Sequence, residues 1–360
     1  MEGNKDLLRV GITIGDVNGI GPEIIIKALK DNRILTDFTP VIYASSKVIS
    51  FYKRILNVQD FNYNSCKTAD EVQSKKINLV NVWNDEFEIK PGESNDLGGK
   101  FAFKSLEAAT NDIASGKIDV LVTAPISKDN IQKAGFQFPG HTEYLADLSG
   151  VNDALMILVS PFLRVALVTT HLPLKDISST LNKQLILNKI KQFENSLKKD
   201  FNIQRPRIAV FGLNPHAGEN GKIGSEEQEF ILPAISAAKN ENILAYGPFA
   251  ADGFFGSEVK NQFDGILAMY HDQGLAAFKA LAFDDGVNFT GDLPIVRTSP
   301  DHGTAFDIAG KNSASEQSFR SAIYLAIDIF KNRRFLKEIS ANALPINTDE
   351  KHKKDSNREE

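Results

Sequence analysis

Short runs of β-branched and other apolar residues alternate with longer amphipathic segments along almost the whole chain, and this alternation constrains the fold more than any other feature. The short runs predict strands at residues 9–14, 40–43, 77–82, 120–123, 154–159, 164–169, 207–211, 243–246 and 265–270. Helices are expected at 22–30, 47–56, 100–114, 128–134, 181–198, 226–239 and 316–331. Within 181–198, Leu185, Ile186, Ile190 and Phe193 recur at the spacing of one buried helical face. Continuous runs such as Val120-Leu121-Val122 suit strands covered on both faces and joined by helical crossovers. The fold class is α/β.

At 360 residues the chain exceeds what one hydrophobic core usually serves. No low-complexity linker divides it, so a second domain is best placed as an insertion, with crossings near 136–139 and 283–286. The expected organisation is a terminal lobe of residues 1–137 plus 286–345, an inserted and dimerising lobe of 138–285, and a charged tail of 346–360. Two lobes enclose a cleft, where ligands bind. Forty-one Lys and Arg against 46 Asp and Glu leave a net charge of −5, which excludes a nucleic-acid partner. The longest apolar runs, about six to eight residues, are too short for a membrane span of roughly 20. The single cysteine, Cys66, excludes an internal disulfide and a Cys-rich metal site, and the polar N-terminus lacks a secretory signal. Together these point to a cytoplasmic protein.

Histidine carries most of the functional signal. His171, His216 and His271 each follow a predicted strand, in Thr170-His171-Leu172-Pro173, Asn214-Pro215-His216-Ala217 and Tyr270-His271-Asp272-Gln273. The carboxyl ends of parallel strands are where α/β sheets bind ligands. Three converging imidazoles would hold a divalent cation with positions open for substrate, and three unconnected strand-end histidines are the alternative. His141 sits in Pro139-Gly140-His141-Thr142-Glu143 at a helix entrance suited either to an anion or to a cap by Thr142. His302 lies in the glycine-containing stretch 301–310, whose backbone can approach a nucleotide closely. His352, in the tail, carries no expected role.

The glycines at 15, 19 and 21 do not match the G-x-G-x-x-G dinucleotide fingerprint, and no phosphate loop of the G-x-x-x-x-G-K-[ST] type is present. Pro22 and Glu23 read as the start of a helix. Lys279 interrupts an apolar run, and Arg297 lies in a strand-like segment where a guanidinium can grip phosphate or carboxylate in bidentate fashion.

The motifs together resemble the 4-hydroxythreonine-4-phosphate dehydrogenase family, over residues 10–330. The matching segments are Gly-Asp-x-x-Gly-Ile-Gly-Pro-Glu at 15–23, Thr-Ala-Pro-Ile-Ser-Lys at 123–128, Gly-His-Thr-Glu at 140–143 and Thr-Thr-His-Leu-Pro-Leu at 169–174. Leu-Asn-Pro-His-Ala-Gly-Glu at 213–219, Tyr-His-Asp-Gln-Gly at 270–274 and His-Gly-Thr-Ala-Phe-Asp-Ile-Ala-Gly at 302–310 complete the set. Val17-Asn18 departs from it, standing where a Pro and a small residue are expected.

The resemblance implies an isocitrate/isopropylmalate dehydrogenase-like fold of two α/β/α lobes, in a homodimer whose active sites both subunits share. It implies metal ligands at His171, His216 and His271, with substrate contacts at His141, Thr142, Lys279, Asn288 and Arg297. It places NAD or NADP along His302, Gly303, Thr304 and Asp307, and explains the missing fingerprint. Lys279 and Asp252 are the candidate general bases. The cation is expected to be zinc, cobalt or magnesium, with imidazole ligands favouring zinc, cobalt or nickel.

The implied reaction is oxidation of 4-phosphooxy-L-threonine at its C3 hydroxyl, then decarboxylation to 3-amino-2-oxopropyl phosphate, in vitamin B6 biosynthesis. A dehydrogenase of threonate or erythronate phosphate, a metal-dependent hydrolase or lyase without NAD, and a non-catalytic metal- or phosphate-binding protein are the rival readings.

Overall fold

The computed structural model describes residues 7–341; the expected charged tail and His352 lie outside the described residues. All nine strands expected from the sequence form, together with three others. In chain order they are β1 (Arg9–Thr13), β2 (Thr39–Ala44), β3 (Asn64–Cys66), β4 (Asn78–Asn81), β5 (Val120–Thr123) and β6 (Leu155–Val159). β7 (Arg164–Leu167), β8 (Arg207–Phe211), β9 (Leu244–Phe249), β10 (Gly265–Ala268), β11 (Val287–Gly291) and β12 (Arg297–Pro300) follow.

The twelve strands make one sheet in the order β3-β4-β2-β1-β5-β12-β11-β6-β7-β10-β8-β9. From β3 to β12 all pairings are parallel. β11 runs antiparallel to both β12 and β6, β6 runs antiparallel to β7, and β7, β10, β8 and β9 are again parallel. Strand direction therefore reverses at the centre, where β11 joins the two halves. β11 follows the expected second crossing, yet pairs through five residues with β6, which precedes it in the expected inserted lobe.

Both faces are covered, as the continuous apolar runs require. Val10, Ile12, Ile42 and Val122 pack in one cluster with Ile24 of the helix Gly21–Leu29 and Ile323 of the helix Gln317–Ala341. The alternate residues Val41, Tyr43 and Leu121 pack on the other face with Leu106 of the helix Asp96–Ala114. In the second half, Ile190 and Phe193 of the helix Lys183–Lys199 join the first cluster, while Phe278 of the helix His271–Leu281 packs against Leu167, Phe211 and Ile266. Each half is thus an α/β/α layer built on period-two strands.

β11 and β12 lack apolar runs, because their polar side chains are satisfied internally. Thr298 Oγ1 donates to Ala322 O at 2.8 Å, and the Arg297 guanidinium donates to Thr123 and Thr290. That tertiary pairing is invisible to a pattern search. The helix His271–Leu281 is not among the expected helices; Tyr270 in extended conformation opens it.

Candidate active site

A cavity of about 340 Å³ lies at the junction of the two halves. His141, Thr142, His171, His271, Lys279, Asn288, Arg297, His302 and Gly303 all line it, brought together from segments far apart in the chain. A neighbouring cavity of about 490 Å³ shares Thr142, Glu143, Met156 and His171 with it.

Arg297 sets the electrostatics. β12 carries it into the interior, where it is 2% exposed. Its Nη2 and Nε donate to Thr123 Oγ1 at 2.6 and 3.1 Å, and its Nη1 to Thr290 Oγ1 at 3.1 Å. Hydroxyls orient a guanidinium without neutralising it, and Arg297 belongs to none of the ion pairs among the described residues. Burial pulls its pKa down to about 10, so it remains charged at neutral pH. Glu143 opposes that shift from a distance but forms no ion pair with Arg297, and a buried cation without a contacting carboxylate on a cavity wall suits an anion.

Two lysines add to this field. Lys279 Nζ donates to Asp301 O at 3.0 Å and lies 3.6 Å from Asp301 Oδ1. Burial pushes the Asp301 carboxyl up, and Lys279 partly opposes that shift. Lys128, on the same cavity wall, forms no ion pair among the described residues. Burial, with Arg297 and then Lys128 alongside, holds His141 well below the usual histidine range. Burial also lowers His302, whose Nδ1 lies 3.1 Å from Gly303 O. His141 Nε2, Glu143 Oε2, Asn288 Oδ1 and His302 Nε2 are buried without a protein partner, all on residues of the cavity wall. Each such atom costs about 1–3 kcal/mol until something polar meets it.

The histidines divide. The rings of His171 and His271 stand 6.0 Å apart, centroid to centroid. Nδ1 of each faces a carboxylate: Glu143 Oε1 at 3.4 Å from His171, and Asp272 Oδ1 at 2.7 Å from His271. Nε2 is then the nitrogen left to bind a cation. His216 does not join them. The N–H groups of Leu213 and Asn214 both donate to Glu227 Oε1 at 2.8 Å, which ties the loop after β8 to the 227–231 turn. His216 then enters a left-handed run through Asn220 and is exposed. Among the described residues no group of three His, Cys, Asp or Glu side chains could hold a metal ion. Within one chain the expected three-imidazole centre is therefore a two-imidazole half.

Asp252 is exposed on the helix Ala251–Phe255, which packs beside the turn carrying His216 and away from the cavity. Thr304 and Asp307 lie farther along the loop beyond the cavity wall. Sequence reasoning gave no role to Glu143 and Lys128, although both stand inside quoted motifs, and it passed over Asp301 beside His302. Nothing in the sequence marks Thr123 or Thr290 as supports for Arg297.

Residues 36–326 match the family model described as pyridoxal phosphate biosynthetic protein PdxA. The chain is 52% identical over 345 residues to the 4-hydroxythreonine-4-phosphate dehydrogenase of Bacteroides thetaiotaomicron, covering 96% of this chain and 94% of that one. It is 40% identical over 325 residues, 89% of this chain and 97% of the relative, to an Oceanobacillus iheyensis protein provisionally named a D-threonate 4-phosphate dehydrogenase. The crystal structure of 4-hydroxythreonine-4-phosphate dehydrogenase from Klebsiella pneumoniae superposes with a TM-score of 0.77 at 35% identity, over 91% of this chain and 99% of that one. Fold, motif order and full-length similarity agree, and the chain belongs to the PdxA family of pyridoxal phosphate biosynthetic proteins.

Proposed function

We propose that this protein oxidises 4-phosphooxy-L-threonine at C3 with NAD and that the product decarboxylates to 3-amino-2-oxopropyl phosphate. The observation that carries the reading is the buried, unpaired Arg297 in a cavity also lined by Lys128, Lys279 and two carboxylate-backed imidazoles. A substrate with phosphate at one end and carboxylate at the other needs several cations, and a secondary alcohol needs a group to take its proton.

The residues of this chain fit the dinucleotide and supply two imidazoles toward the cation. A Cβ on Gly303 would meet no atom within 4 Å, and the buried His302 Nε2 beside it lacks a partner, which suits a polar cofactor lying along residues 302–307. Asp307 in that loop would accept ribose hydroxyls and repel a 2′-phosphate, which favours NAD over NADP. His171 and His271 would hold a divalent cation such as zinc, cobalt or magnesium. When bound, NAD supplies the hydride acceptor and the cation supplies Lewis acidity at the alcohol.

The chain's own groups do the rest. Arg297 and Lys128 hold the anionic ends, and His141, Thr142 and Asn288 orient the polar groups between them. Lys279 is the group assigned to proton transfer at the C3 hydroxyl, while the C3 hydrogen leaves as hydride to NAD. The resulting 3-keto acid loses CO2 because its ketone accepts the electrons of the breaking C–C bond.

The same reading takes the protein to be a cytoplasmic homodimer with shared sites. Leu172 and Leu174, directly after His171, are 41% and 71% exposed and border an apolar depression of about 200 Å³ beside both histidines. An apolar surface at the mouth of a site suits a second copy, with the partner's His216 and the partner's Asp252 reaching the half-site. No helix among the described residues is long and apolar enough to cross a membrane.

The Oceanobacillus relative supports a second reading, in which the substrate carries a hydroxyl in place of the amine. NADH formation at 340 nm with 4-phosphooxy-L-threonine, threonate 4-phosphate and erythronate 4-phosphate decides between them. Preference for the amino acid supports the first reading, and turnover of the sugar acids alone transfers the assignment. No reduction of NAD with any substrate removes the dehydrogenase reading.

A further inference from the structure

The motif at residues 15–23 lines neither cavity of the site, yet it holds two fully buried carboxylates, Asp16 and Glu23. Asp16 accepts the Asn18 N–H at 3.0 Å and Asn130 Nδ2 at 3.1 Å. Asn18, 1% exposed, passes the restraint onward: its Oδ1 accepts the Lys90 N–H at 2.9 Å, and its carbonyl accepts the Gly92 N–H at 2.8 Å. The strap hung from Asn18 presses on the loop that contains His302. A Cβ on Gly92 would lie 3.0 Å from Phe306 O, and one on Gly310 would lie 2.7 Å from Pro91 Cβ.

The motif also grips that loop directly at two more points. The Ile20 N–H donates to Thr304 O at 3.0 Å, with Gly19 so close that a Cβ there would lie 2.9 Å from the same oxygen. At the far end, Glu23 Oε1 accepts the Ala314 N–H at 3.0 Å and Lys27 Nζ at 2.8 Å, while Lys27 also donates to Ala314 O. Segment 302–314 is therefore held at its start, middle and end by groups that touch no ligand cavity.

We propose that Asn18, carried by Asp16, is a positioning residue for the dinucleotide: it fixes the 90–92 strap that shapes the 302–310 loop. This rests on the reading of residues 302–307 as the NAD site. A strap bearing on a loop from behind changes affinity for whatever lies on the loop's front, and leaves the phosphate and carboxylate contacts at Arg297 alone.

The test is Asn18→Ala, which removes Oδ1 and deprives the Lys90 N–H of its acceptor. NADH binding, followed by fluorescence titration, is expected to weaken about tenfold. KM for the phosphorylated substrate and kcat at saturating NAD stay within about threefold of wild type, since Arg297 and Lys279 are untouched. Hydrogen exchange is expected to rise in peptides covering 302–310 and to stay unchanged across β7 to β10. Gly92→Ala, whose added Cβ would crowd Phe306 O from the strap itself, is expected to reproduce the NADH defect and serves if Asn18→Ala misfolds.

Wild-type NADH affinity in both variants overturns the inference alone. Equal losses in NADH and substrate affinity overturn it too, because they signal general loosening. Failure of the wild-type protein to bind NADH removes the dinucleotide reading and the inference together.

Discussion

Glu143 Oε1 lies 3.4 Å from His171 Nδ1, and the carboxylate that makes this contact is held below the usual glutamate range chiefly by that imidazole. His271 has a counterpart in Asp272, but that side chain is 79% exposed where Glu143 is 32% exposed. Water competes with the exposed pair and much less with the sheltered one. Orientation of the two rings therefore depends unequally on the two acids.

Glu143→Ala is expected to lower Zn²⁺ or Co²⁺ affinity about 10- to 100-fold, and Asp272→Ala by less than about threefold. Isothermal titration of the metal-stripped protein measures both. Equal, small effects would show that Glu143 does not orient His171.

Replacing Arg297 separates stability from function. The buried guanidinium makes no contact ion pair, so Arg297→Met is expected to leave the melting temperature unchanged or raised. kcat/KM falls at least about a hundredfold, because an anionic end of the substrate loses its charged partner. A large drop in melting temperature would mean that the Thr123 and Thr290 hydrogen bonds are structurally needed.

Shared sites predict complementation. His171→Ala and His216→Ala chains are each expected to be inactive, and their co-expression to restore about a quarter of wild-type activity, since half the dimers then carry one intact site of two. No recovery in mixed dimers would place His216 in the site of its own chain or outside catalysis.

Stability should depend on pH through His141 and His302. Burial lowers both folded-state pKa values below that of an unfolded histidine, near 6.5. Below about 6.5 the unfolded chain binds protons that the folded chain refuses, so stability falls as pH drops and levels off above that value. Each histidine contributes up to about a tenfold change in the unfolding constant per pH unit. Urea melts between pH 5 and 7.5 should show a shallower slope for His141→Gln with His302→Gln; an unchanged slope assigns the dependence elsewhere.

Much of the fold was legible because its signals are local. The apolar runs at 120–123 and 207–211 became β5 and β8 with the same bounds, since a strand buried on both faces must be apolar throughout. β3 escaped notice because it is a three-residue edge strand, and β11 because Asn288 and Thr290 interrupt its apolar residues. The motifs named the cavity wall well, and nine of the residues they singled out meet there. Within one chain His216 stands apart from that wall, on a loop after β8 that Glu227 holds through two N–H groups, a tie that no spacing in the sequence shows.

By itself the sequence determined the α/β alternation, the family and the chemical inventory of the site, because periodicity and motif order are properties of neighbours along a chain. Tertiary structure alone decided which of those residues share a volume. It buried Arg297 without a carboxylate, set Glu143 behind His171, kept His216 at the surface and hung the 90–92 strap on Asn18. Those relations arise from strand order and from packing between distant segments, and no spacing along the chain encodes them.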